Sequence, residues 1–319
     1  MEILIVGLGV IGSIYGYAFQ KSGNKTEHFL RKNSPKAAIT DLNVQMLDGR
    51  KNPKGTQIQD VYKVNHFSKK EYDFIFVSVP SGSLAEVIKN LDEAGISGTF
   101  ILACGIWESR QKLDELMSGK PYILGYPVAG GNLEQTGLNS CLFDHFILEQ
   151  EKNTQIKNYR QLVKLFADCQ IKLEQPYDAL EWIWLHMAIN AAVVSVAGKY
   201  GDIKNPTASA EQLMNSPKIL AEAIRAIRET SKIVASRGVK LKHYNNELLA
   251  YKLPTFISAP IMKKMFAQNI LSRKIMTLHN NFNDLFYVCK TLYDSGKKEK
   301  VPAPIFYDAY EKTIEKLQE

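Results

Sequence analysis

Cysteine is scarce in this chain of 319 residues, and its four positions exclude most cysteine-based architectures. Cys104, Cys141, Cys169 and Cys289 lie far apart, with no CxxC pair and no spacing typical of metal ligands. We therefore expect four reduced thiols, as in a cytoplasmic protein, and no metal site.

Long apolar runs and basic stripes are also missing. Met1 runs directly into a charged residue and then a strand, so we expect no signal peptide, and no apolar run approaches the roughly 18–20 residues of a transmembrane helix. The formal charge of +7 comes from 40 basic and 33 acidic residues scattered along the chain. Neither a membrane nor a nucleic acid is an expected partner, whereas a phosphate-bearing cofactor or a small anionic substrate would account for a locally basic site.

The first 177 residues alternate between buried-strand and helical patterns, which predicts a parallel sheet with helical crossovers. Strands are predicted at Glu2–Gly7, Thr26–Leu30, Phe74–Val79, Thr99–Cys104, Tyr122–Tyr126 and Cys141–Leu148, and helices at Val10–Lys21, Leu84–Leu91 and Gln155–Cys169.

Helical spacing dominates from Leu180 onward. The clearest helix is Pro217–Arg237, which has Ser216 as its predicted N-cap and Gly238 just beyond its end. Other helices are predicted at Trp182–Val196, Ala208–Asn215, Asn246–Leu253, Met262–Met276 and Asn281–Ser295, and after Pro304. The expected fold class is α/β, with a Rossmann-type domain in residues 1–177 and an all-helical domain for substrate binding or dimerisation in residues 178–319.

A glycine-rich turn connects the first predicted strand to the first predicted helix. Its residues are Gly7, Leu8, Gly9, Val10, Ile11 and Gly12, which form a GxGxxG motif. In such a turn the first glycine permits a tight bend, the second allows the backbone to approach a pyrophosphate, and the third lets the helix pack on the strand. The position between strand and helix makes this motif an indication of dinucleotide binding rather than a ligand-free turn.

The end of the second predicted strand distinguishes the two nicotinamide cofactors. An acidic residue there binds the ribose hydroxyls of NAD, and a basic residue suits the 2′-phosphate of NADP. Glu27 lies inside the strand, whereas Arg31 and Lys32 occupy its tip. Because arginine is the better phosphate ligand and lysine adds a second positive charge, we expect NADPH. The alternative is that both are solvated basic residues.

Longer sequence stretches resemble the ketopantoate reductase (2-dehydropantoate 2-reductase) family. They are ILIVGLGVIGSIYG, FLRKN, DFIFVSVPSGSLAEVI, ILACGIWE, EWIWLHMAIN and, more weakly, VPAPIF. The resemblance implies an N-terminal Rossmann domain and a C-terminal helical domain like that of 6-phosphogluconate dehydrogenase. It also implies the NADPH-dependent reduction of ketopantoate, a step of pantothenate biosynthesis.

The chain departs from the family's pattern at the ends of two strands that border the cofactor. The family has a lysine where this chain has Pro80, after Val79, and it has His-Asn-Gly where this chain has Ala103, Cys104 and Gly105. We expect Val79, Pro80, Cys104 and Gly105 to lie beside the cofactor, since ligands of open α/β sheets bind at the carboxyl ends of strands.

The catalytic positions differ as well. The resemblance places the family's catalytic lysine at His186 and its asparagine at Asn190, while a second asparagine is replaced by Val194. The resemblance also matches a family stretch that contains an acidic residue to Arg273, Lys274, Ile275 and Met276, so a basic residue replaces the acidic one. His186 and Asn190 share one helix face, so His186 is the candidate proton donor and Asn190 the candidate substrate ligand. A buried histidine of the helical core is the alternative.

Three functions fit these observations. The first is an NADPH-dependent reductase of a small 2-oxo acid, with ketopantoate as the substrate that the resemblance implies. The second is a non-catalytic NADPH-binding paralogue that senses the cofactor or scaffolds a partner. The third is a dehydrogenase acting on a β-hydroxy acid or an opine-like substrate. A homodimer is compatible with all three.

Overall fold

The computed structural model describes residues 1–31, 33–278 and 282–318. Within them the chain divides into two units, Met1–Leu180 and Glu181–Glu319. The first combines a sheet with helices and the second is helical, so the predicted α/β class with a helical C-terminal part is confirmed.

The first unit contains one sheet and four α-helices in its described part. The strands are β1 (Glu2–Val6), β2 (Lys25–Phe29), β3 (Asp41–Asp48), β4 (Thr56–Lys63), β5 (Glu71–Val77), β6 (Ser97–Leu102), β7 (Tyr122–Glu134), β8 (Gly137–Leu148) and β9 (Lys172–Glu174). The helices are α1 (Val10–Lys21), α2 (Leu84–Glu93), α3 (Arg110–Met117) and α4 (Tyr159–Asp168).

The sheet has the strand order β2-β1-β5-β6-β7-β8-β3-β4, with β9 beside β8. Strands β2, β1, β5, β6 and β7 run parallel to one another, whereas the pairs β7–β8 and β3–β4 are antiparallel. The chain leaves β1 for β2 on one side and returns to β5 on the other. This change of direction is the position at which open α/β sheets bind their ligands.

Helix α1 packs against β7 and β8 as well as β1 and β2, so it is enclosed by the sheet. Its apolar residues are buried on several sides, including Tyr15 and Phe19. The Tyr15 ring stacks on Phe76 at 5.2 Å between centroids, and Phe146 stacks on Phe166 at 4.6 Å. These fully buried aromatic rings hold the start of α1 in a fixed position relative to β1 and β5.

The second unit contains eight α-helices in its described part. They are α5 (Ala179–Tyr200, whose first two residues belong to the first unit), α6 (Pro206–Asn215), α7 (Pro217–Ser236), α8 (Asn245–Lys252), α9 (Thr255–Gln268), α10 (Ile270–Leu278), α11 (Phe282–Lys298) and α12 (Pro304–Gln318). Helix α7 is central, because it contacts α6, α8, α9, α11 and α12.

Local capping chemistry explains where two of these helices begin. The Ser216 hydroxyl accepts a hydrogen bond from the Ile219 N–H at 3.3 Å, and Pro217 occupies the first turn of α7, as predicted. The prediction of one continuous helix over Met262–Met276 is wrong. Asn269 interrupts it and caps α10, because its side-chain oxygen accepts a hydrogen bond from the Ser272 N–H at 2.9 Å.

Helix α5 is long and apolar enough, by length and composition alone, to cross a membrane. However, 61% of its most apolar 18-residue window is buried inside the protein. That burial is typical of a core helix.

Candidate cofactor and catalytic sites

The carboxyl ends of four parallel strands lie along one edge of the sheet. Because β2, β1, β5 and β6 are adjacent and parallel, the segments that follow them emerge side by side. These segments begin with Gly7 after β1, Arg31 beyond β2, Val79 beyond β5 and Cys104 beyond β6. The structure therefore brings the predicted cofactor-binding segments of the first unit to a common edge.

The three glycines of the turn have different surroundings. Gly7 has a φ of +80°, a backbone conformation that side-chain-bearing residues rarely adopt. A Cβ atom on Gly9 would meet nothing within 4 Å, whereas a Cβ on Gly12 would lie 2.8 Å from Ile5 Cγ2. Gly9 thus leaves open space above the turn, and Gly12 allows α1 to pack tightly on β1. A pyrophosphate fits this arrangement.

The first turn of α1 provides free donors for such an anion. The helix begins after Gly9, which carries no capping side chain, and its first intrahelical bond runs from the Ser13 N–H to the Gly9 carbonyl. The N–H groups that precede Ser13 in a helix lack intrahelical acceptors. Together with the helix dipole they form a binding position for negative charge.

A buried histidine holds the glycine turn from below. His28 Nδ1 lies 2.7 Å from the Gly7 carbonyl oxygen, and His28 Nε2 lies 2.7 Å from the Tyr62 hydroxyl. Since a carbonyl only accepts, Nδ1 carries the proton and Nε2 accepts from Tyr62. Burial lowers the pKa of His28 to about 4, so the ring is neutral at pH 7. The sequence analysis did not single out His28, because its backbone partner has no signature in the sequence.

The tip of β2 places Arg31 at the surface. Its guanidinium lies 3.3 Å from a carboxylate oxygen of Glu86 on α2, and about 70% of the Arg31 side chain is exposed. Arg31 is therefore held near the edge of the sheet while remaining accessible to a ligand. Lys32, the second predicted phosphate ligand, lies outside the described residues.

Glu27 is engaged in structural hydrogen bonds. Its carboxylate accepts from the Ser68 N–H and the Ser68 hydroxyl, both at 2.7 Å, and from the Tyr72 hydroxyl at 2.6 Å. Although burial opposes it, these bonds lower the pKa of Glu27. A carboxylate with three donors of its own is poorly placed to bind ribose hydroxyls.

A third basic residue, Lys36, follows β2. The Lys36 ammonium group donates a hydrogen bond to the Leu8 carbonyl oxygen at 2.7 Å, and the side chain is half-buried. Successive turns between Arg31 and Ile39 direct the loop back to the glycine turn. The sequence analysis missed Lys36, since it lies beyond the strand tip where a phosphate ligand is expected.

The ends of β5 and β6 differ in exposure. Pro80 is exposed, Val79 and Gly105 are half-buried, and Cys104 is buried. The Ser78 hydroxyl is also buried and has no hydrogen-bond partner among the described residues. It would lie 3.2 Å from a Cβ atom on Gly12, which places it under the first turn of α1. The Ser78 hydroxyl is therefore a polar group beside the position expected for a phosphate.

The predicted catalytic residues lie on α5 in the second unit. His186 stacks on Trp182, with 4.9 Å between ring centroids and 11° between ring planes. Asn190 lies one turn further along, and both His186 and Asn190 are half-buried. Burial lowers the pKa of His186 to about 4. In the free protein at pH 7 the ring is therefore a neutral hydrogen-bonding group.

Arg273 and Lys274, the basic residues matched to the family's acidic residue, lie on α10. Arg273 pairs with Glu211 of α6, and Lys274 is half-buried beside it. Arg273 thus connects two helices of the second unit.

A comparison with known protein families finds a match in the unit that carries the glycine turn. Residues 3–137 match the family model "Ketopantoate reductase PanE/ApbA". No curated protein matches the chain significantly in sequence.

Three solved structures illustrate the similarity of fold over the whole chain. A D-mandelate dehydrogenase with NADH has a TM-score of 0.68 at 14% identity, covering 100% of this chain and 99% of its own. A 2-dehydropantoate 2-reductase from Geobacter metallireducens has a TM-score of 0.66 at 14% identity, covering 99% of each chain. A dimeric ketopantoate reductase from Staphylococcus aureus has a TM-score of 0.60 at 13% identity, covering 98% of each.

The resemblance predicted from the sequence is confirmed by the family model and by the shared fold. NADPH is the cofactor of this family, whose members are oxidoreductases acting on a ketone or the corresponding alcohol. Residues 3–137 are similar to the ketopantoate reductase PanE/ApbA family, and the whole chain shares the fold of solved ketopantoate reductases.

Proposed function

We propose that this protein is an NADPH-dependent reductase of a small 2-oxo acid, with ketopantoate as the first substrate to test. The observation that carries the proposal is the common edge at which β1, β2, β5 and β6 end, with an open glycine turn and an accessible Arg31. Reduction of ketopantoate would place the protein in pantothenate biosynthesis.

The preference for NADPH rests on one acidic residue within β2 and one basic residue at its tip. Glu27, the only acidic residue of β2, is occupied by Ser68 and Tyr72, while Arg31 is accessible. A guanidinium can bind a 2′-phosphate with two parallel hydrogen bonds. We assign the phosphates of the cofactor to Gly7, Leu8, Gly9, Val10, Ile11, Gly12, Arg31 and Lys32, and its remainder to Val79, Pro80, Cys104 and Gly105.

The bound cofactor would supply a hydride to the carbonyl carbon of the substrate, which leaves a negative charge on the carbonyl oxygen. We assign the stabilisation of that charge to His186 and Asn190, whose side chains lie one helical turn apart. The Asn190 amide can donate to the oxygen or to the carboxylate of the substrate. His186 can donate one ring N–H to the same oxygen.

Protonation of the oxygen requires His186 to gain a proton first. The ring is neutral in the free protein at pH 7, since its pKa is about 4. A 2-oxo acid carries a carboxylate, and a negative charge nearby favours the imidazolium form and raises the pKa. Binding of the substrate anion would therefore convert His186 into a proton donor.

A second candidate is the oxidation or reduction of 2-hydroxy and 2-oxo acids with a bulky or aromatic side chain. D-mandelate dehydrogenase, whose name indicates an aromatic 2-hydroxy acid, shares the fold over the whole chain. The loss of the family's lysine and acidic residue, at His186 and near Lys274, also favours a substrate other than ketopantoate.

The decisive experiment follows NADPH oxidation across a panel of 2-oxo acids that contains ketopantoate, benzoylformate and pyruvate, with the reverse reactions in NADP⁺. Turnover of ketopantoate above the others would support the first candidate, and preference for benzoylformate the second. Tight NADPH binding without turnover of any compound would contradict both and favour a cofactor-binding paralogue.

We further propose a cytoplasmic homodimer. The dimeric relative from Staphylococcus aureus supports the dimer. The four cysteines are buried and none forms a disulfide, which favours a reducing compartment. Light scattering of the purified protein would test the oligomeric state, and a monomer at micromolar concentration would contradict it.

A further inference from the structure

Lys36 has a partner that does not neutralise its charge. Its ammonium group carries three donors, and the structure directs one of them to the neutral Leu8 carbonyl at 2.7 Å. Burial alone lowers its pKa, and among residues 1–31, 33–278 and 282–318 no charged group contributes to that shift. A half-buried cation without a carboxylate partner is costly unless an anion completes its surroundings.

The surroundings of Lys36 are those of a phosphate position. Leu8 lies between Gly7 and Gly9, where a Cβ atom would meet nothing within 4 Å, and the uncapped first turn of α1 follows directly. Arg31 reaches the same edge from the start of the loop that carries Lys36. Two sources of positive potential therefore lie at this turn, the helix N-terminus and Lys36, and Arg31 stands at the start of the loop that carries Lys36.

We propose that Lys36 binds a phosphate group of the dinucleotide cofactor at the glycine turn. This inference rests on the proposed nicotinamide-dependent function and adds a binding residue to it. The phosphate is either the ribose 2′-phosphate, which only NADPH carries, or the pyrophosphate, which NADPH and NADH share. In both cases the ammonium group keeps or exchanges its bond to Leu8 and directs its remaining donors to phosphate oxygens.

The test is the affinity of the purified protein for NADPH and NADH, measured by calorimetry at several salt concentrations. Lys36→Met removes the charge and keeps the length of the side chain. Lys25→Met is the matched control, because Lys25 lies at the opposite end of β2 and its loss changes the net charge equally. We expect Lys36→Met to weaken binding about 10- to 100-fold, as for other charge-assisted hydrogen bonds, and Lys25→Met to leave it unchanged.

The pattern of losses identifies the phosphate. A loss for NADPH alone assigns Lys36 to the 2′-phosphate, and an equal loss for both cofactors assigns it to the pyrophosphate. In either case the affinity of Lys36→Met must depend less strongly on salt than that of the unmodified protein. Lys36→Arg, which keeps the positive charge, must bind the cofactor more tightly than Lys36→Met. A merely structural role of Lys36 would produce neither result. Unchanged affinity in Lys36→Met, or a loss with unchanged salt dependence, overturns the inference. Failure of the unmodified protein to bind either cofactor would instead refute the proposed function.

Discussion

The Nδ1 atom of His28 lies 2.7 Å from the carbonyl oxygen of Gly7, so a neutral buried imidazole holds the first glycine of the turn. Because the ring also accepts from Tyr62, protonation of His28 would break the second bond and place a charge in the core. The geometry of the glycine turn and the stability of the first unit therefore depend on the same ring.

We predict that the free energy of unfolding falls as the pH decreases from about 6.5 to about 4. In this range an unfolded histidine, with its pKa near 6.5, takes up a proton that folded His28 refuses, since its pKa is about 4. Stability is retained above pH 6.5 and decreases by about 1.4 kcal/mol per pH unit below it for each such histidine. His186 contributes in the same direction.

Urea unfolding at several pH values would measure this slope. His28→Asn should reduce this slope, because it removes a histidine whose pKa in the folded protein is about 4. An equal slope in His28→Asn and the unmodified protein would show that His28 titrates normally in the folded state.

In the proposed cofactor site, Glu86 would compete with a 2′-phosphate for Arg31. Its carboxylate lies 3.3 Å from the guanidinium and would repel a 2′-phosphate. We predict that Glu86→Gln raises the affinity for NADPH about 1.5- to 5-fold, the range of exposed ion pairs, and leaves NADH binding unchanged. Arg31→Ala should weaken NADPH binding about 10- to 100-fold and remove most of the preference for NADPH.

Glu93→Gln is the matched control for Glu86, because Glu93 lies on the same helix and pairs with Lys89 instead. Affinities from quenching of tryptophan fluorescence would provide the comparison. If Arg31→Ala weakened NADH as strongly as NADPH, Arg31 would not bind the 2′-phosphate.

His186 is predicted to take up a proton when the substrate anion binds. Its pKa of about 4 in the free protein rises when a carboxylate arrives, so at pH 6 to 7 binding consumes protons. Calorimetry in buffers of different ionisation enthalpy would detect this uptake with a non-reacting 2-oxo acid analogue. His186→Asn should abolish the uptake and lower kcat by about 100-fold or more, with the Kd for NADPH unchanged.

His243→Asn, an exposed histidine of the same unit, should preserve both the uptake and the rate. Normal turnover in His186→Asn would assign His186 to the helical core. It would remove the catalytic interpretation without affecting the cofactor site.

The parts of the fold that were predictable from the sequence are those defined by local patterns. Helix α1 runs from Val10 to Lys21, as predicted, because a glycine turn precedes it and Gly23 ends it. Strand β4 was missed, since Gln57 and Gln59 interrupt its apolar pattern at exposed positions. It lies at the edge of the sheet and is held by backbone pairing to β3, which leaves little signal in side chains.

The same distinction applies to the candidate sites. Arg31 could be proposed as a phosphate ligand from its place after a strand, whereas His28 and Lys36 hydrogen-bond to the carbonyl groups of Gly7 and Leu8. Backbone partners are invisible in a sequence until the chain is folded. The pKa of His186 was also unpredictable, since it depends on burial by residues from elsewhere in the chain.

Two glycines of the turn allow folding and cofactor binding to be separated. A Cβ atom at Gly12 would lie 2.8 Å from Ile5 Cγ2, so Gly12→Ala should lower the stability of the protein by about 1–3 kcal/mol. A Cβ at Gly9 would meet nothing within 4 Å, and the φ of Gly9 is −90°, so Gly9→Ala should fold with unchanged stability. However, its methyl group would occupy the space that the pyrophosphate needs. We therefore expect Gly9→Ala to lose cofactor affinity while its Tm stays within a few degrees of the unmodified protein. Thermal unfolding and NADPH titration of both variants would check this, and a Gly9→Ala variant that binds NADPH normally would place the pyrophosphate elsewhere.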